Sequence, residues 1–486
     1  MRAFFKKHDN IISLIFVIVL ALVLRMFVLQ TFEFWFDEAY TGLLVDKPWN
    51  QFFSVLREDV HPPLYYVLLK SWVTLFGNSV LTLRSFSVIF GVLTIPLVYI
   101  FVKKIKNVSH NTALLVSFIF SINPFFIEYS VEARTYSLLG FLMIAAATSF
   151  LFAMNKKKLE LNRYWISFSL LISLVFLTHY LASFGILCFG LFFLYVYRKQ
   201  VLKAVNFKFL FGVSLVPLLA FIYWIPKLLY QLNKTGGNLG WIPEANFMDI
   251  PNTLYIFLFG AKAHTYGLPP ARQSLLGQDL LTFILFVSTI TLLTYLSIKL
   301  KKFFSKGLIL NLGLAFIPLI LVVIISKFGI HMYVERYLLP YGIFYIIFLF
   351  LSLSLVNRKI LYGFIICYAI ISSHIFITSY TTKQTEFNDL IRYLKDNNEH
   401  ELIVSTSPLD FNVIKYYLSS NNKLYLLDDS ENQDYASWSI IEVDDLITSK
   451  EAESNNTIYV SPCHEVMENF KVLEEINAQF CIVKAS

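Results

Sequence analysis

The chain has 486 residues, of which 57% are hydrophobic and 15% are charged, and its mean hydropathy is +0.62. This composition excludes an ordinary soluble globular protein and indicates a polytopic membrane protein. Despite the net charge of +7, a nucleic-acid partner is not expected, because the basic residues lie in short segments between apolar runs and form no continuous stripe.

Eleven apolar stretches follow one another along the chain, and a membrane span needs ~20 such residues. The first follows the basic start "MRAFFKKHDN". It is too long for the apolar core of a signal peptide and no small-residue cleavage site follows it, so we predict a retained span. The predicted spans are Ile11–Leu29, Val80–Val102, Thr112–Ile127, Thr135–Met154, Trp165–Thr178, Leu181–Tyr197, Phe209–Pro226, Leu276–Leu300, Leu308–Ile325, Tyr337–Leu355 and Ile360–Thr378.

Basic residues predict the orientation of these spans. Six clusters of Lys and Arg alternate with base-poor segments, and the positive-inside rule places the clusters and the N-terminus in the cytoplasm. The clusters are Lys6–Lys7, Lys103–Lys106, Lys156–Lys158, Arg198–Lys203, Lys299–Lys306 and Arg358–Lys359. With eleven spans, residues 31–79, residues 227–275 and the C-terminal segment are expected outside the cytoplasm.

We interpret residues 1–379 as the transmembrane domain. Residues 380–486 differ from them in composition and in charge. They carry 19 acidic residues against 8 basic ones, and short predicted helices and strands alternate along them. This alternation predicts a small, soluble, extracytoplasmic α/β domain with a parallel sheet. It contains no Gly-rich phosphate loop, so we interpret it as a structural or acceptor-docking cap. Its Cys463 and Cys481 could form a disulfide outside the cytoplasm; two free buried thiols are the alternative.

The predicted outer side carries most of the sequence segments that could support chemistry. In chain order they read "FWFDEAYTG", "HPPLYY", "EYSVEARTY", "THY" and "HMYVERYLLP". Ionisable groups are costly in hydrocarbon, so their gathering at one membrane face indicates a shared, water-accessible site.

Asp37 and Glu38 are the first candidates for catalysis. Aromatic residues surround them, and a partly desolvated carboxylate suits a base that takes a proton from a hydroxyl. Because adjacent helical residues do not share a face, we expect one carboxylate at the reacting centre and the other at a neighbouring helix or ion. The alternative is a solvated acidic turn at the start of a helix.

Arg134 and Arg336 are the candidates for phosphate binding. Each begins a predicted span from the outer side and closely follows a glutamate, in "EARTY" and "ERYLLP". A guanidinium matches phosphate oxygens bidentately, so two arginines from separate segments would form a clamp for a phosphodiester. The alternative is a snorkelling arginine with a local salt bridge.

Several further residues are candidates for substrate binding. His61 precedes two prolines that prevent helix continuation before Leu64, and the alternative for it is a surface histidine at the end of a loop. Trp241 lies in the Gly-rich stretch "GGNLGWIP", which is either a mobile lid over a lipid-linked substrate or a passive linker. The full set is His61, Tyr65, Glu132, His179, Tyr180 and Trp241, with Lys262, His264 and Arg272 as weaker candidates.

The order of these motifs resembles one known family. "FDEAYT", "HPPLYY", "EARTYSL", "THY", "GGNLGWIP" and "ERYLLP" are similar to motifs of the bacterial membrane glycosyltransferases related to protein O-mannosyltransferases and the lipid A aminoarabinose transferase (glycosyltransferase family 39, GT-C fold). The resemblance covers residues 1–380. It implies an enzyme of the bacterial inner membrane that transfers a hexose or pentose, with inversion, from a polyprenyl-phosphate donor to an extracytoplasmic acceptor. The acceptor class, a cell-envelope glycan, a lipid or a protein, stays open.

The resemblance also implies roles for individual residues. Asp37 matches the first-loop acid proposed as catalytic base or acceptor-orienting group, with Glu38 beside it. The donor phosphate would be bound by Arg134, Arg336 and Tyr337, and Glu132 belongs to the same motif as Arg134. No cofactor is certain. A divalent cation near the two acids stays open, since the sequence lacks three or more ligands at metal spacing.

The alternative function is a membrane transporter, a flippase or a polymer ligase for lipid-linked glycans. Transporters typically place ionisable residues or broken helices near the bilayer midplane, often in repeated halves. Here the middles of the apolar runs are almost free of charge and no internal repeat is evident. An oligosaccharyltransferase is disfavoured, because the C-terminal segment lacks a "WWDYG"-like motif.

Overall fold

The fold is given by a computed structural model. It describes residues 2–29, 31–106, 108–154, 159–201, 207–234, 242–260, 284, 287–289, 291, 295, 305–356, 358–381, 386–396, 402–418, 423–428, 440–452, 457–463, 470–476 and 480–485. Helices make up the membrane part, and a six-stranded sheet forms near the C-terminus.

The membrane part contains fifteen α-helices among the described residues. They are α1 (Arg2–Val28), α2 (Phe36–Asp46), α3 (Trp49–Glu58), α4 (Leu64–Phe76), α5 (Val80–Lys104), α6 (His110–Ile122), α7 (Pro124–Val131), α8 (Tyr136–Met154), α9 (Arg163–Phe176), α10 (Ser183–Val201), α11 (Phe207–Lys234), α12 (Asp249–Phe259), α13 (Lys306–Phe328), α14 (Leu339–Val356) and α15 (Arg358–Thr381). Short 3₁₀ helices at Tyr180–Ala182 and Glu335–Leu338 precede α10 and α14.

Eight helices within the described ranges are long and apolar enough to cross a membrane, so the chain is a multi-span membrane protein. They correspond to eight of the eleven predicted spans. Helix α9 has 14 residues and is shorter than a usual span. The predicted span Leu276–Leu300 lies almost entirely outside the described residues.

The predicted span Thr112–Ile127 is not one straight helix. Helices α6 and α7 meet at a bend of 58° and would count as a ninth span only if taken together. Asn123 lies between them in extended conformation, and its side chain accepts a hydrogen bond from the backbone N–H of Phe126. Pro124 then begins α7, where its missing N–H is tolerated. This cap and proline break the apolar run that the hydropathy pattern joins.

The segment 227–275, which was predicted to be an outer loop, also contains helical structure. Helix α11 continues to Lys234, beyond the predicted end of its span at Pro226. Helix α12 is largely buried and ends at Phe259, and it is followed by Gly260, whose φ of 81° is readily available to glycine. The candidates Trp241, Lys262, His264 and Arg272 lie outside the described residues.

The C-terminal part alternates helices and strands. Its elements are α16 (Glu386–Asp396), β1 (Leu402–Ser405), α17 (Pro408–Tyr417), β2 (Leu424–Leu427), a 3₁₀ helix (Val443–Asp445), β3 (Leu446–Ile447), α18 (Ser449–Ala452), β4 (Thr457–Pro462), β5 (Phe470–Glu475) and β6 (Phe480–Ala485). The strands lie in the order β3-β2-β1-β4-β6-β5.

The sheet is mixed, not purely parallel as predicted. Strands β3, β2, β1 and β4 are parallel to one another, whereas β6 is antiparallel to both of its neighbours, β4 and β5. A parallel connection needs a crossover of about a dozen residues, and only residues 476–479 join β5 to β6. Cys463 and Cys481 form a disulfide that ties the end of β4 to β6.

Candidate functional site

Helix α2 presents the two adjacent acids to different surroundings. Both lie in its first turn, where a negative charge interacts favourably with the helix dipole. The side chain of Asp37 is 24% exposed, whereas that of Glu38 is 1% exposed. The pair therefore divides between an accessible carboxylate and a buried one.

Glu38 is held in a buried ion pair. Its two carboxylate oxygens accept hydrogen bonds from Arg84 Nε at 2.8 Å and Nη2 at 2.6 Å. Oε1 also accepts from the backbone N–H of Ala133 at 2.8 Å. Arg84 Nη1 in turn donates to the carbonyls of Leu29 and Phe32. The candidate catalytic residue Glu38 is therefore the carboxylate that turns to a neighbouring helix, as expected for one of the pair, because its oxygens join α2 to α5 and to the turn after α7.

Asp37 lies where two arginines from distant segments converge. Its Oδ2 is 3.6 Å from Arg134 Nη2 and 3.9 Å from Arg336 Nη2. Arg134 lies in the turn between α7 and α8, and Arg336 lies in the 3₁₀ helix before α14. Both distances exceed the 2.7–2.9 Å that is usual for a charge-assisted hydrogen bond. The arginines are therefore close to the carboxylate without being tightly bound to it.

Arg134 is a buried cation with several weak partners. Its Nη1 donates to the hydroxyl of Tyr66 at 3.2 Å and to that of Thr41 at 3.4 Å. Its Nε has no partner among the described residues. Burial by itself lowers the pKa of Arg134, but Asp37 and Tyr66 more than offset this and raise it well above its ordinary value. The guanidinium therefore stays charged and retains unused hydrogen-bonding capacity.

Arg336 is framed by aromatic rings. Its Nε donates to the Tyr136 hydroxyl at 3.0 Å. Its guanidinium carbon lies 5.2 Å from the centre of the Trp35 ring and 5.5 Å from that of Tyr337. Such cation–π contacts orient a guanidinium without neutralising it. Tyr337 thus lies beside Arg336, with which it was predicted to bind the donor phosphate.

His61 belongs to a polar chain that begins at a residue missed by the sequence analysis. Asp59 is buried and accepts hydrogen bonds from His61 Nδ1 at 3.0 Å and from the Tyr40 hydroxyl at 3.3 Å. His61 Nε2 lies 3.5 Å from Arg134 Nη2 and therefore accepts from it. Burial alone would raise the pKa of Asp59, but His61 and Arg134 lower it below its ordinary value. Asp59 stays ionised and determines the His61 tautomer.

His179 is a second buried imidazole next to this chain. Its ring centre is 5.9 Å from that of His61 and 4.9 Å from that of Tyr337. Nδ1 accepts the backbone N–H of Leu181 at 3.2 Å, and Nε2 has no partner in the described part of the chain. Burial, then His61 and Arg134, lower the pKa of His179 well below its ordinary value. The ring is therefore neutral, with its proton on Nε2.

Glu132 is the third predicted acid near this cluster. It is buried, and its Oε2 has no partner among the described residues. Burial and the negative charges of Glu38 and Glu128 raise the pKa of Glu132 well above its ordinary value. A neutral carboxyl group can donate a hydrogen bond as well as accept one.

Two predicted substrate residues lie outside this cluster. Tyr65 is fully buried and its hydroxyl is hydrogen bonded to Ser87 Oγ at 3.0 Å, so it joins α4 to α5. The next residue, Tyr66, is the one that reaches Arg134, because adjacent helical residues point in different directions. The Tyr180 hydroxyl accepts from Trp224 Nε1 at 2.8 Å and donates to Gln231, on α11.

Two residues that the sequence analysis missed carry recognisable signals. Arg84 is an ionisable residue inside the predicted span Val80–Val102, and such residues usually have a specific partner. Asp59 precedes His61 by two residues in a loop. At this spacing a carboxylate can form a local hydrogen bond with the imidazole.

A metal site is not evident at the acids. The described residues include no group of three or more His, Cys, Asp or Glu side chains that could hold a metal ion. The oxygens of Glu38 are already used by Arg84 and Ala133. A cation next to Asp37 would have to compete with two guanidinium groups.

Comparison with known proteins relates the central segment of the chain to one family. Residues 60–224 match the family model described as dolichyl-phosphate-mannose-protein mannosyltransferase. This range includes His61, Arg134 and His179, whereas Asp37 and Arg336 lie outside it. Among curated proteins none matches the chain.

Solved structures that resemble most of the chain include those of the following two proteins. ArnT from Cupriavidus metallidurans, bound to undecaprenyl phosphate, is 11% identical with a TM-score of 0.60, over 96% of this chain and 97% of that one. The oligosaccharyltransferase of Archaeoglobus fulgidus is 14% identical with a TM-score of 0.53, over 94% of this chain and 70% of that one. At these identities the likeness establishes the fold. The GT-C architecture expected from the sequence is confirmed.

Proposed function

We propose that this multi-span membrane protein of the GT-C fold is a glycosyltransferase that takes a sugar from a polyprenyl-phosphate donor. The acceptor would receive the sugar at the outer face of a bacterial inner membrane. The observation that carries the proposal is the convergence of Arg134 and Arg336 on one oxygen of Asp37. The family match over residues 60–224 and the undecaprenyl phosphate bound to ArnT support the donor class.

The arginine pair suits a phosphodiester at the membrane surface. Two guanidinium groups less than 4 Å from one carboxylate oxygen form a position where negative charge is stabilised. A phosphate that enters this position would draw both arginines to its own oxygens, since bidentate guanidinium–phosphate bonds are shorter and stronger. Asp37 would then be released from its arginine partners. Donor binding and exposure of the base are thereby coupled.

The transfer step follows from this arrangement. An acceptor hydroxyl loses its proton to Asp37 as its oxygen attacks the anomeric carbon from the face opposite the phosphate. The bond between the anomeric carbon and the phosphate oxygen breaks, and its electron pair stays on the departing polyprenyl phosphate. Arg134 and Arg336 stabilise the charge that develops there. Attack from the opposite face inverts the anomeric configuration.

Neutral polar groups beside the arginines suit sugar hydroxyls. His61 Nε2 is an acceptor, because Asp59 holds the proton on Nδ1, and it becomes available to a sugar hydroxyl when Arg134 turns to the phosphate. His179 Nε2–H is a donor. Glu132, with its raised pKa, can do both. A mixture of donors and acceptors matches hydroxyl groups, which are both at once.

The proposed orientation places the site on the side opposite the basic clusters. Lys103–Lys106 and Lys299–Lys306 would face the cytoplasm. The disulfide between Cys463 and Cys481 supports an oxidising environment for the C-terminal domain, since disulfides are rare in the bacterial cytosol.

Replacement of either arginine tests the donor site. Each charged hydrogen bond contributes about 1.5–3 kcal/mol, so Arg134→Ala and Arg336→Ala should each weaken binding of undecaprenyl phosphate by about 10- to 100-fold. Binding of the purified protein in detergent measures this. Arg163→Ala is a matched control, because Arg163 is an exposed arginine on another segment that contacts the ring of Tyr164. Wild-type affinity in both site variants would exclude the clamp.

Replacement of Asp59 tests the histidine chain. Asp59→Asn removes the negative charge that holds the imidazole proton on Nδ1, so the proton can move to Nε2 and point a donor at the Arg134 guanidinium. We expect turnover to fall about tenfold or more, as a misdirected donor disrupts a buried network. Sugar transfer from purified donor measures this, and Glu58→Gln is the control, since its amide oxygen can still accept from Tyr230. Unchanged turnover would leave His61 with no role that depends on its tautomer.

The acceptor can be found in cells. Mass comparison of surface glycans, lipids and proteins with and without this protein should reveal a difference of one sugar unit. That mass identifies the sugar, and the molecule that carries it identifies the acceptor. Unchanged masses in all three classes would argue against transfer to the envelope.

A further inference from the structure

The C-terminal domain contacts the helix that carries Asp37, and this contact begins at the entry to α2. Residues 31–35 connect α1 to α2 without regular secondary structure. The backbone N–H of Phe34 donates to the hydroxyl of Tyr417, on α17, at 2.8 Å. A buried backbone N–H needs a partner, and here the partner comes from the C-terminal domain.

Aromatic packing extends the contact at Phe34. The Phe34 ring is fully buried and lies 4.9 Å from that of Tyr416 and 6.2 Å from that of Tyr417. The Arg84 guanidinium, which is hydrogen bonded to Glu38, lies 5.0 Å from the centre of the Phe34 ring. One ring is thus enclosed between the C-terminal domain and the ion pair that holds the neighbour of Asp37.

The middle of α2 touches α17 at a position that only glycine permits. A Cβ atom on Gly42 would lie 2.5 Å from Cε2 and 2.9 Å from Cδ2 of Tyr416. Cβ atoms do not approach other atoms so closely, so the absence of a side chain at Gly42 lets the edge of the Tyr416 ring come close to the helix backbone. At the far end of α2, Lys47 forms an exposed ion pair with Glu442 at 2.7 Å.

Helix α2 is therefore held on two sides. On its membrane side, Arg84 binds Glu38, and the two site arginines face Asp37. On its other side, α17 binds the entry and the middle of the helix. We infer that the C-terminal domain completes the active site, with Tyr417 acting as a positioning residue for Asp37 by holding the backbone of Phe34.

This inference rests on the proposed function but goes beyond it. A cap that merely covers the site, or docks the acceptor, does not need a bond to the backbone three residues before the base. A positioning contact predicts a specific result: its loss should lower turnover while leaving the phosphate site, built from Arg134 and Arg336 on other segments, intact.

A pair of adjacent tyrosines supplies matched variants in the full-length protein. Tyr417→Phe removes the hydroxyl that accepts from Phe34, whereas Tyr416→Phe keeps the ring that covers Gly42. For Tyr417→Phe we expect about tenfold faster amide exchange at residues 33–42 and about tenfold lower sugar transfer, the effect of one orphaned buried donor. Affinity for undecaprenyl phosphate should stay within about twofold, because its ligands are untouched. Tyr416→Phe should resemble the wild type in all three measurements.

The results separate positioning from a structural effect and from failure of the proposed function. Equal losses in the two variants, unchanged exchange at residues 33–42, or a parallel loss of undecaprenyl phosphate binding would overturn the inference. If the wild type neither binds undecaprenyl phosphate nor transfers sugar, the proposed function fails. The exchange comparison would still decide whether Tyr417 holds the entry to α2.

Compensation at Gly42 gives a second, independent test. Gly42→Ala should push Tyr416 away and lower turnover, although alanine favours a helix more than glycine does. Combining it with Tyr416→Ala creates space for the new methyl group, so the double variant should transfer sugar faster than Gly42→Ala alone. Wild-type turnover in Gly42→Ala, or no recovery in the double variant, would contradict a close α2–α17 contact that controls Asp37.

Discussion

Asp37→Asn is expected to abolish sugar transfer while the protein still folds and inserts into the membrane. The amide of this variant would keep the shape of the side chain but could not accept a proton from the acceptor hydroxyl. General base catalysis contributes about 10²- to 10⁴-fold to rates, so turnover in an assay with purified donor should fall by that factor. Binding of undecaprenyl phosphate should persist, because Arg134 and Arg336 lose a competitor and not a ligand.

Asp46→Asn is the matched control for this prediction. Asp46 is an exposed acid at the end of the same helix, so its neutralisation should leave transfer near the wild-type rate. Normal turnover of Asp37→Asn would remove Asp37 from the role of base. A loss of undecaprenyl phosphate binding in that variant would indicate that the carboxylate organises the arginines for the donor.

Arg84→Met is expected to produce the largest loss of stability among single replacements near the site. In this variant the buried Glu38 carboxylate loses both hydrogen bonds from Arg84 and keeps the one from the Ala133 N–H. Breaking a buried ion pair by removing one partner typically costs about 3–5 kcal/mol. The free energy of unfolding in detergent, measured by denaturant titration or by the shift in melting temperature, should show this loss.

The double variant Arg84→Met with Glu38→Gln provides the internal comparison. Once both charges are removed, no uncompensated buried charge remains, so the double variant should lose less than the sum of the single variants. Lys47→Ala is the surface control, because its ion pair with the largely exposed Glu442 should contribute about 1 kcal/mol or less. A small loss in Arg84→Met would mean that Glu38 finds another partner or water.

The contrast between positions 37 and 38 explains why two neighbouring acids differ so much. Both residues belong to the first turn of α2. The side chain of Glu38 points to Arg84 on α5, whereas that of Asp37 points to Arg134 and Arg336. The expected phenotypes differ accordingly: loss of chemistry with retained stability at Asp37, and loss of stability when the partner of Glu38 is removed.

Sequence alone determined the membrane character of this protein and the residue types at its site. Hydropathy located eight helices that the structure confirms as long enough to span a membrane, because hydrocarbon demands a continuous apolar run whatever lies beside it. The same reasoning singled out Asp37, Arg134 and Arg336, since ionisable residues collect where water reaches. It also identified the small α/β domain, but it left open whether Cys463 and Cys481 pair, and the structure shows that they form a disulfide.

Only the tertiary structure decided which of these groups face one another. The choice between Asp37 and Glu38 depends on Arg84, 46 positions along the chain, and the reach of Tyr66 in place of Tyr65 depends on how α4 is rotated against α5. The contact of Tyr417 with Phe34 likewise joins segments distant in sequence, whereas the bend at Asn123 and the His61 tautomer set by Asp59 depend on local side-chain hydrogen bonds. All of these interactions are directional, and a one-dimensional pattern records the solvent preference of a residue and not its partner.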